Sequence, residues 1–150
     1  MPEKHFLKAA AEMLNVPLDN VKEWSIEDQE KIYASAYAFY ETGYYEKGSD
    51  FFTQLILSNP YAEKYWRGLA ACRQMEKKYL DSLHAWCLVA LLNEHDPSPH
   101  FHAAECLLSL QDKEEALKAL SEAEERVKKD GNFSHLRDKI DLLKQIHLKE

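Results

Sequence analysis

The fold is decided by residues 29–62, which read QEKIYASAYAFYETGYYEKGSDFFTQLILSNPYA. Moved along the chain by 34 residues, from position 36 to 70 and again from 70 to 104, this stretch meets a matching pattern twice more. Two matching positions carry small residues and a third carries large apolar ones: Ala36, Ala70 and Ala104; Gly48, Ser82 and Ala116; Phe52, Trp86 and Leu120. Small residues recur where two helices must cross closely, so the period predicts a series of antiparallel helix pairs.

A period of this length is typical of tetratricopeptide repeats, which bury their apolar faces only by stacking on one another. We expect an all-α fold, an α-α superhelix with a helical segment before the repeats and a capping helix after them. The predicted divisions are an N-terminal segment at 1–28, three repeats at 29–62, 63–96 and 97–130, and a C-terminal helix at 131–150. The period favours a protein that binds other proteins over an enzyme.

Local signals predict where several helices begin and end. Ser25, followed three residues later by Asp28, suits the start of a helix, and Gly43 suits a left-handed turn at its end. The next helix should end before Asn59, which precedes a proline. Apolar stripes predict one helix near each end of the chain: Phe6, Leu7, Ala10 and Leu14 over about residues 3–14, and Phe133, Leu136, Ile140 and Leu143 after residue 130.

The composition is that of one globular domain, with 45% hydrophobic and 30% charged residues. The net charge of -7 and the lack of a basic stripe argue against nucleic acid as a partner. The chain begins without an apolar secretory region and has no apolar run of about 18 residues, so we expect a cytoplasmic protein that does not insert into membranes. Cys72, Cys87 and Cys106 lack C-x-x-C spacing and are expected to be buried, reduced thiols.

The first repeat helix carries more aromatic surface than packing requires. Its inward positions are expected to be Ile32, Ser35, Ala36 and Phe39. The groove positions then fall on tyrosines at i, i+4 and i+7, so three rings share one stripe. Tyrosine offers a large contact area with few rotatable bonds, which suits peptide binding. The residues predicted to bind cargo in the concave groove are Tyr33, Tyr37, Tyr40, Lys64, Arg67, Ala71, Gln74, Phe101, Glu105 and Leu108.

The alternative for the tyrosines is that the N-terminal helix folds into the groove and covers them. Otherwise the apolar stripe of that helix would be free to pair two copies of the chain, so a homodimer through it is expected. The groove does not suit the carboxylate clamp of chaperone adaptors, which needs Lys and Asn where this chain has Tyr33 and Tyr37.

No catalytic, metal or cofactor site is predicted. His100 and His102 are two residues apart and point away from each other on a helix. His102 and Cys106 are four apart, yet no second pair of ligands accompanies them. No Gly-rich phosphate loop and no strained nucleophile turn is present. We therefore expect a protein that is not an enzyme.

Three segments resemble the class II translocator chaperones of bacterial type III secretion, the SycD/LcrH/IpgC family. The segments are Ile32-Tyr-Ala-Ser-Ala-Tyr-Ala-Phe-Tyr40, Gly68-Leu-Ala-Ala-Cys-Arg-Gln74 and His102-Ala-Ala-Glu-Cys-Leu-Leu108. The resemblance covers roughly residues 20–148 and departs from the family at Ala70, where relatives tend to carry Gly.

The resemblance implies three repeats and a cytoplasmic virulence chaperone that binds hydrophobic translocator proteins through a short P-x-L-x-x-P-like segment. It also implies that the groove aromatics of the family correspond to Tyr33, Tyr37 and Tyr40. Two alternatives stay open: a generic tetratricopeptide scaffold, and a co-activator of a transcriptional regulator, a role that some members of the family have.

Overall fold

The structure is a computed structural model that describes residues 4–18 and 23–147. Within these ranges it is all-helical, with helices connected by short turns and without strands. The helices are α1 (Lys4–Leu14), α2 (Ile26–Glu41), α3 (Tyr45–Ser58), α4 (Glu63–Met75), α5 (Tyr79–Leu92), α6 (Ser98–Ser109), α7 (Lys113–Lys129) and α8 (His135–His147).

The predicted helix boundaries in the first repeat are confirmed. The Ser25 hydroxyl accepts a hydrogen bond from the Asp28 backbone N–H at 3.1 Å, which begins α2. Gly43 has a φ of +86°, the left-handed conformation that glycine adopts without strain. The following helix, α3, ends at Ser58, immediately before Asn59.

The chain divides into two compact units, 1–77 and 78–150, whereas the sequence predicted one domain. The division falls inside the second predicted repeat, between α4 and α5. In the first unit α3 packs against both α2 and α4, and in the second α6 packs against both α5 and α7. Helix α3 thus packs on the first helix of the following predicted repeat as well as on its partner α2, and α6 packs on the last helix of the preceding one as well as on its partner α7. The units therefore do not follow the predicted repeat boundaries.

The core of each unit is built on the periodic positions, and all nine of them are buried. In the first unit a Cβ added to Gly68 would lie 2.3 Å from the ring of Phe52, which is fully buried. A Cβ added to Gly48 would lie 2.9 Å from the Cys72 sulfur. Small residues are needed at these crossings because the helices are in direct contact.

The C-terminal stripe packs as predicted. Leu136 and Ile140 of α8 are buried, and Phe133 and Leu143 are partly buried beside them. They contact a cluster from α6 and α7 that consists of Phe101, Ala104, Leu120, Ala123 and Val127. The predicted capping role of the last helix is therefore met by α8, which covers the apolar face of the second unit.

The N-terminal helix uses its apolar stripe within the first unit. Ala10 is buried, and the Phe6 ring stacks on Tyr61 with centroids 4.6 Å apart. The helix on which α1 packs is α3. Much of the stripe that was expected to pair two chains is therefore occupied by the chain itself.

Two of the side chains expected inside the fold lie on its surface. Ser35 is exposed, because α1 packs on α3 and leaves this side of α2 open. Cys87 is also exposed, on the same face of α5 as Leu80 and Leu91. Apolar residues are spread around that helix and mix with the exposed His84 on its outer face, so the pattern of apolar positions alone did not indicate that face.

Candidate binding surface

Five tyrosines of the first unit form one continuous series of ring contacts. The centroid distances are 5.7 Å from Tyr65 to Tyr33, 6.1 Å from Tyr33 to Tyr37, 6.3 Å from Tyr37 to Tyr40, and 5.8 Å from Tyr40 to Tyr45. All four distances lie within the range of favourable aromatic pairs. We call these five residues the tyrosine row.

The row is assembled from three helices. Tyr33, Tyr37 and Tyr40 share one face of α2, as their spacing predicted. Tyr45 begins α3 after the turn at Gly43, and Tyr65 lies in the first turn of α4. Tyr45 and Tyr65 were not predicted from the sequence, because neither residue occupies a predicted groove position.

Exposure differs along the row. Tyr65 is buried, with 3% of its surface accessible, whereas Tyr37 is 47% exposed and the other three are half-buried. Tyr33 also packs edge-on against the buried ring of Phe52, with centroids 5.9 Å apart. Tyr33 therefore supports the core, and Tyr37 offers the most surface to a ligand. The proposal that the N-terminal helix covers the stripe does not hold for Tyr37.

Burial favours the neutral form of three phenols in the row. It is the largest cause that raises the pKa of Tyr33, Tyr40 and Tyr65 above the usual value, and neighbouring phenols add to it. A neutral phenol keeps its O–H donor, and the Tyr65 hydroxyl donates to the Gln29 side-chain oxygen at 3.2 Å. At neutral pH the row is an uncharged surface that combines apolar ring faces with hydroxyl groups.

Charged side chains from the start of α4 flank one end of the row. The Lys64 amine lies 4.6 Å from the ring centroid of Tyr33 and 5.7 Å from that of Tyr65. Arg67 is held by Glu63 one turn before it, with Nε donating to the carboxylate at 2.9 Å. Ala71 and Gln74 follow on α4 and are half-buried.

The three remaining predicted residues belong to the second unit. Phe101 is only 6% exposed and lies in the core cluster with Leu120 and Val127, so its prediction as a groove residue is wrong. Glu105 and Leu108 are half-buried, and the Glu105 carboxylate lies 2.7 Å from His102 Nδ1.

The histidines and cysteines have structural surroundings. The His102 ring stacks on Trp86 with centroids 4.5 Å apart. Burial is the largest cause that lowers the pKa of His100, and the Arg126 charge adds to it. Burial raises the pKa of the Cys72 thiol to about 12, so the thiol is protonated at neutral pH. Over residues 4–18 and 23–147, no three His, Cys, Asp or Glu side chains form a metal-binding group.

Comparison with known proteins assigns the chain to a family. No protein-family model matches it. The low calcium response locus protein H of Yersinia pestis is 31% identical over 131 residues, which cover 87% of this chain and 78% of that protein. The Yersinia enterocolitica type III secretion chaperone SycD, solved with a peptide of the translocator YopD, is 30% identical with a TM-score of 0.78, and the match covers 83% of this chain and 95% of SycD. The chain belongs to the class II translocator chaperones of type III secretion.

The family fold extends to a second solved complex. PcrH of Pseudomonas aeruginosa, bound to the chaperone binding region of PopD, is 26% identical with a TM-score of 0.80. The match covers 85% of this chain and 96% of PcrH. The tetratricopeptide-like, all-helical fold predicted from the period is thereby confirmed. None of the helices in the described part of this chaperone is long and apolar enough to span a membrane.

Proposed function

We propose that this chaperone holds an extended, apolar segment of a translocator protein along the tyrosine row. The observation that carries the proposal is the unbroken series of ring contacts from Tyr65 to Tyr45, with Tyr37 exposed at its centre. SycD and PcrH support it, since each has been solved with part of a translocator bound. The residues that we assign to binding along the row are Tyr33, Tyr37, Tyr40, Lys64, Arg67, Ala71 and Gln74, all of the first unit. Glu105 and Leu108, which lie in the second unit, stay predictions from the sequence.

The chemistry of the row suits an apolar peptide that would otherwise aggregate. Proline and leucine side chains gain contact area on tyrosine faces, while the phenol hydroxyls accept and donate hydrogen bonds to the peptide backbone. An extended segment presents both kinds of group along its length. Binding by a few aromatic anchors needs no nucleotide, so release proceeds by competition. In this role the chaperone acts in the cytoplasm, before export, and is not an enzyme.

The repeat division at 29–62, 63–96 and 97–130, between segments 1–28 and 131–150, remains our proposal for how the family architecture maps onto the chain. The homodimer through the N-terminal helix also stays a prediction. The structure leaves Met13 within that helix and Leu18 after it exposed, at 46% and 41%.

Co-expression tests the proposed function. We expect the partner to be a protein with paired hydrophobic segments that is encoded beside this gene. We expect it to be insoluble when expressed alone and soluble in a complex with this chaperone. A peptide from it that carries a Pro-x-Leu-x-x-Pro segment should bind the purified chaperone and compete with the full-length partner.

A generic scaffold predicts a different result. It would leave the partner insoluble and would bind the peptide no better than a scrambled one. Either outcome would remove the translocator assignment, and circular dichroism of the purified chaperone would show that it was folded in the assay.

A further inference from the structure

Lys64 is placed at the end of the tyrosine row with an ammonium group available to a ligand. It is exposed, and its Nζ lies over the ring of Tyr33, 4.6 Å from the centroid. Some exposed lysines of the protein pair with carboxylates, for example Lys31 with Glu27 at 3.4 Å and Lys118 with Glu115 at 3.0 Å. The ion pairs found among the described residues do not include Lys64.

The nearest acidic residue in the sequence does not neutralise this lysine. Glu63 precedes Lys64, but its carboxylate pairs with Arg67 one helical turn later. Lys64 is thereby left with the ring faces of Tyr33 and Tyr65 as its contacts. The cation–π contact with the half-buried Tyr33 ring holds the Lys64 ammonium only weakly, and the ammonium N–H groups can donate to a carboxylate of a ligand.

The chain as a whole disfavours an acidic ligand. Its net charge is -7, so a carboxylate that comes within a screening length of the protein meets a field that is repulsive on average. Lys64 provides a local exception beside the ring surface. A single ammonium beside the ring surface favours a negative charge at one position of a bound segment. The net charge of the protein does not distinguish one position from another.

We propose that Lys64 makes the chaperone select a translocator segment with an Asp or Glu beside the apolar side chain that lies on the tyrosine row. This inference rests on the proposed function, because it concerns the cargo of the same surface. The carboxylate of the cargo pairs with the ammonium while the neighbouring apolar side chain covers Tyr33 and Tyr37. Pairing at the edge of a surface that the peptide shields from water is stronger than pairing in open solvent.

A positional charge scan tests the proposal. Each variable or flanking position of a Pro-x-Leu-x-x-Pro peptide is changed in turn to Asp, Asn or Lys, and each peptide is titrated against the wild-type chaperone. We expect Asp to bind about 10-fold more tightly than Asn at one position, and more weakly than Asn at the others. In Lys64→Glu the Lys peptide should be preferred at that same position, and in Lys64→Gln the preference should vanish.

Lys47→Glu is the matched control. Lys47 is also an exposed lysine over an aromatic ring, with Nζ 5.8 Å from the centroid of Phe39, and it lies in the same unit but outside the row. The variant carries the same change in net charge and should keep the wild-type preference. Circular dichroism establishes that all three variants are folded.

Four results would overturn the inference. Equal binding of the Asp and Asn peptides at every position would leave the proposed function standing without a role for Lys64. A preference that persists in Lys64→Glu, or disappears equally in Lys47→Glu, would assign it to another residue or to bulk charge. Failure of every peptide to bind would contradict the proposed function and the inference with it.

Discussion

Replacing Tyr37 with Ala separates binding from folding more cleanly than any other change in the row. Tyr37 is 47% exposed, and its ring contacts Tyr33 and Tyr40 with centroids 6.1 and 6.3 Å away. A tyrosine has roughly 200 Å² to bury, so about 100 Å² of it remains available to cargo. At about 25 cal/mol per Å², covering that area contributes about 2.5 kcal/mol to binding. Losing it should weaken peptide affinity roughly 70-fold.

The loss of folding stability in Tyr37→Ala should be smaller than its loss of binding free energy. Part of the already buried area belongs to atoms that alanine keeps, and the ring contacts of Tyr37 are with half-buried neighbours. We expect the free energy of unfolding to fall by about 1 to 1.5 kcal/mol, which lowers the melting temperature by about 3 to 6 °C. Peptide titration by calorimetry and thermal unfolding by circular dichroism measure the two effects on the same sample.

Tyr44→Ala is the control for this prediction. Tyr44 is 59% exposed in the same unit, and its ring contacts Phe39 edge-on at 6.4 Å, outside the row. Its removal should leave peptide affinity within about twofold of wild type, because no cargo contact is lost. If Tyr37→Ala is folded and binds like wild type, or if Tyr44→Ala weakens binding as much, the row is not the binding surface.

Two further changes test the packing of the first unit. Gly68→Ala places a methyl group 2.3 Å from the buried Phe52 ring, so denaturant unfolding should show a loss of about 1 to 3 kcal/mol, whereas Gly131→Ala, with nothing within 4 Å, should cost far less. If Gly68→Ala leaves the free energy of unfolding unchanged, the Phe52 ring has room to move. The Cys72 thiol has a pKa of about 12 in the fold and 9.0 as its reference value, so the unfolded chain loses this proton first as the pH rises. Stability should therefore decline between about pH 9 and 12, and the decline in Cys72→Ala should be shallower by up to 1.4 kcal/mol per pH unit; equal slopes would show that Cys72 is not the group responsible.

Local and periodic features of this protein were predictable from its sequence. The start of α2 at Ser25 and the turn at Gly43 depend on residues within a few positions of each other, so neighbouring sequence is sufficient to indicate them. The nine buried positions at the 34-residue offset were predictable for a related reason. Closely crossing helices need small side chains at the crossing, which accounts for six of the nine, and the large apolar side chains of Phe52, Trp86 and Leu120 fill the core.

The tertiary structure decided which helical faces became surface. Cys87 lies on a helix whose apolar residues are spread around it, and packing on α6 determined that Cys87 would face outward. Phe101 occupies a predicted groove position, yet α7 and α8 enclose it, because the cluster around Leu120 offers the ring more apolar contact than solvent does. Tyr45 joined the row because the turn at Gly43 places the start of α3 beside α2, and Tyr65 joined because α4 contacts α2. Their rings lie within 6 Å of Tyr40 and Tyr33. Helical periodicity states which residues share a face, but the direction of that face is set by the helices packed around it.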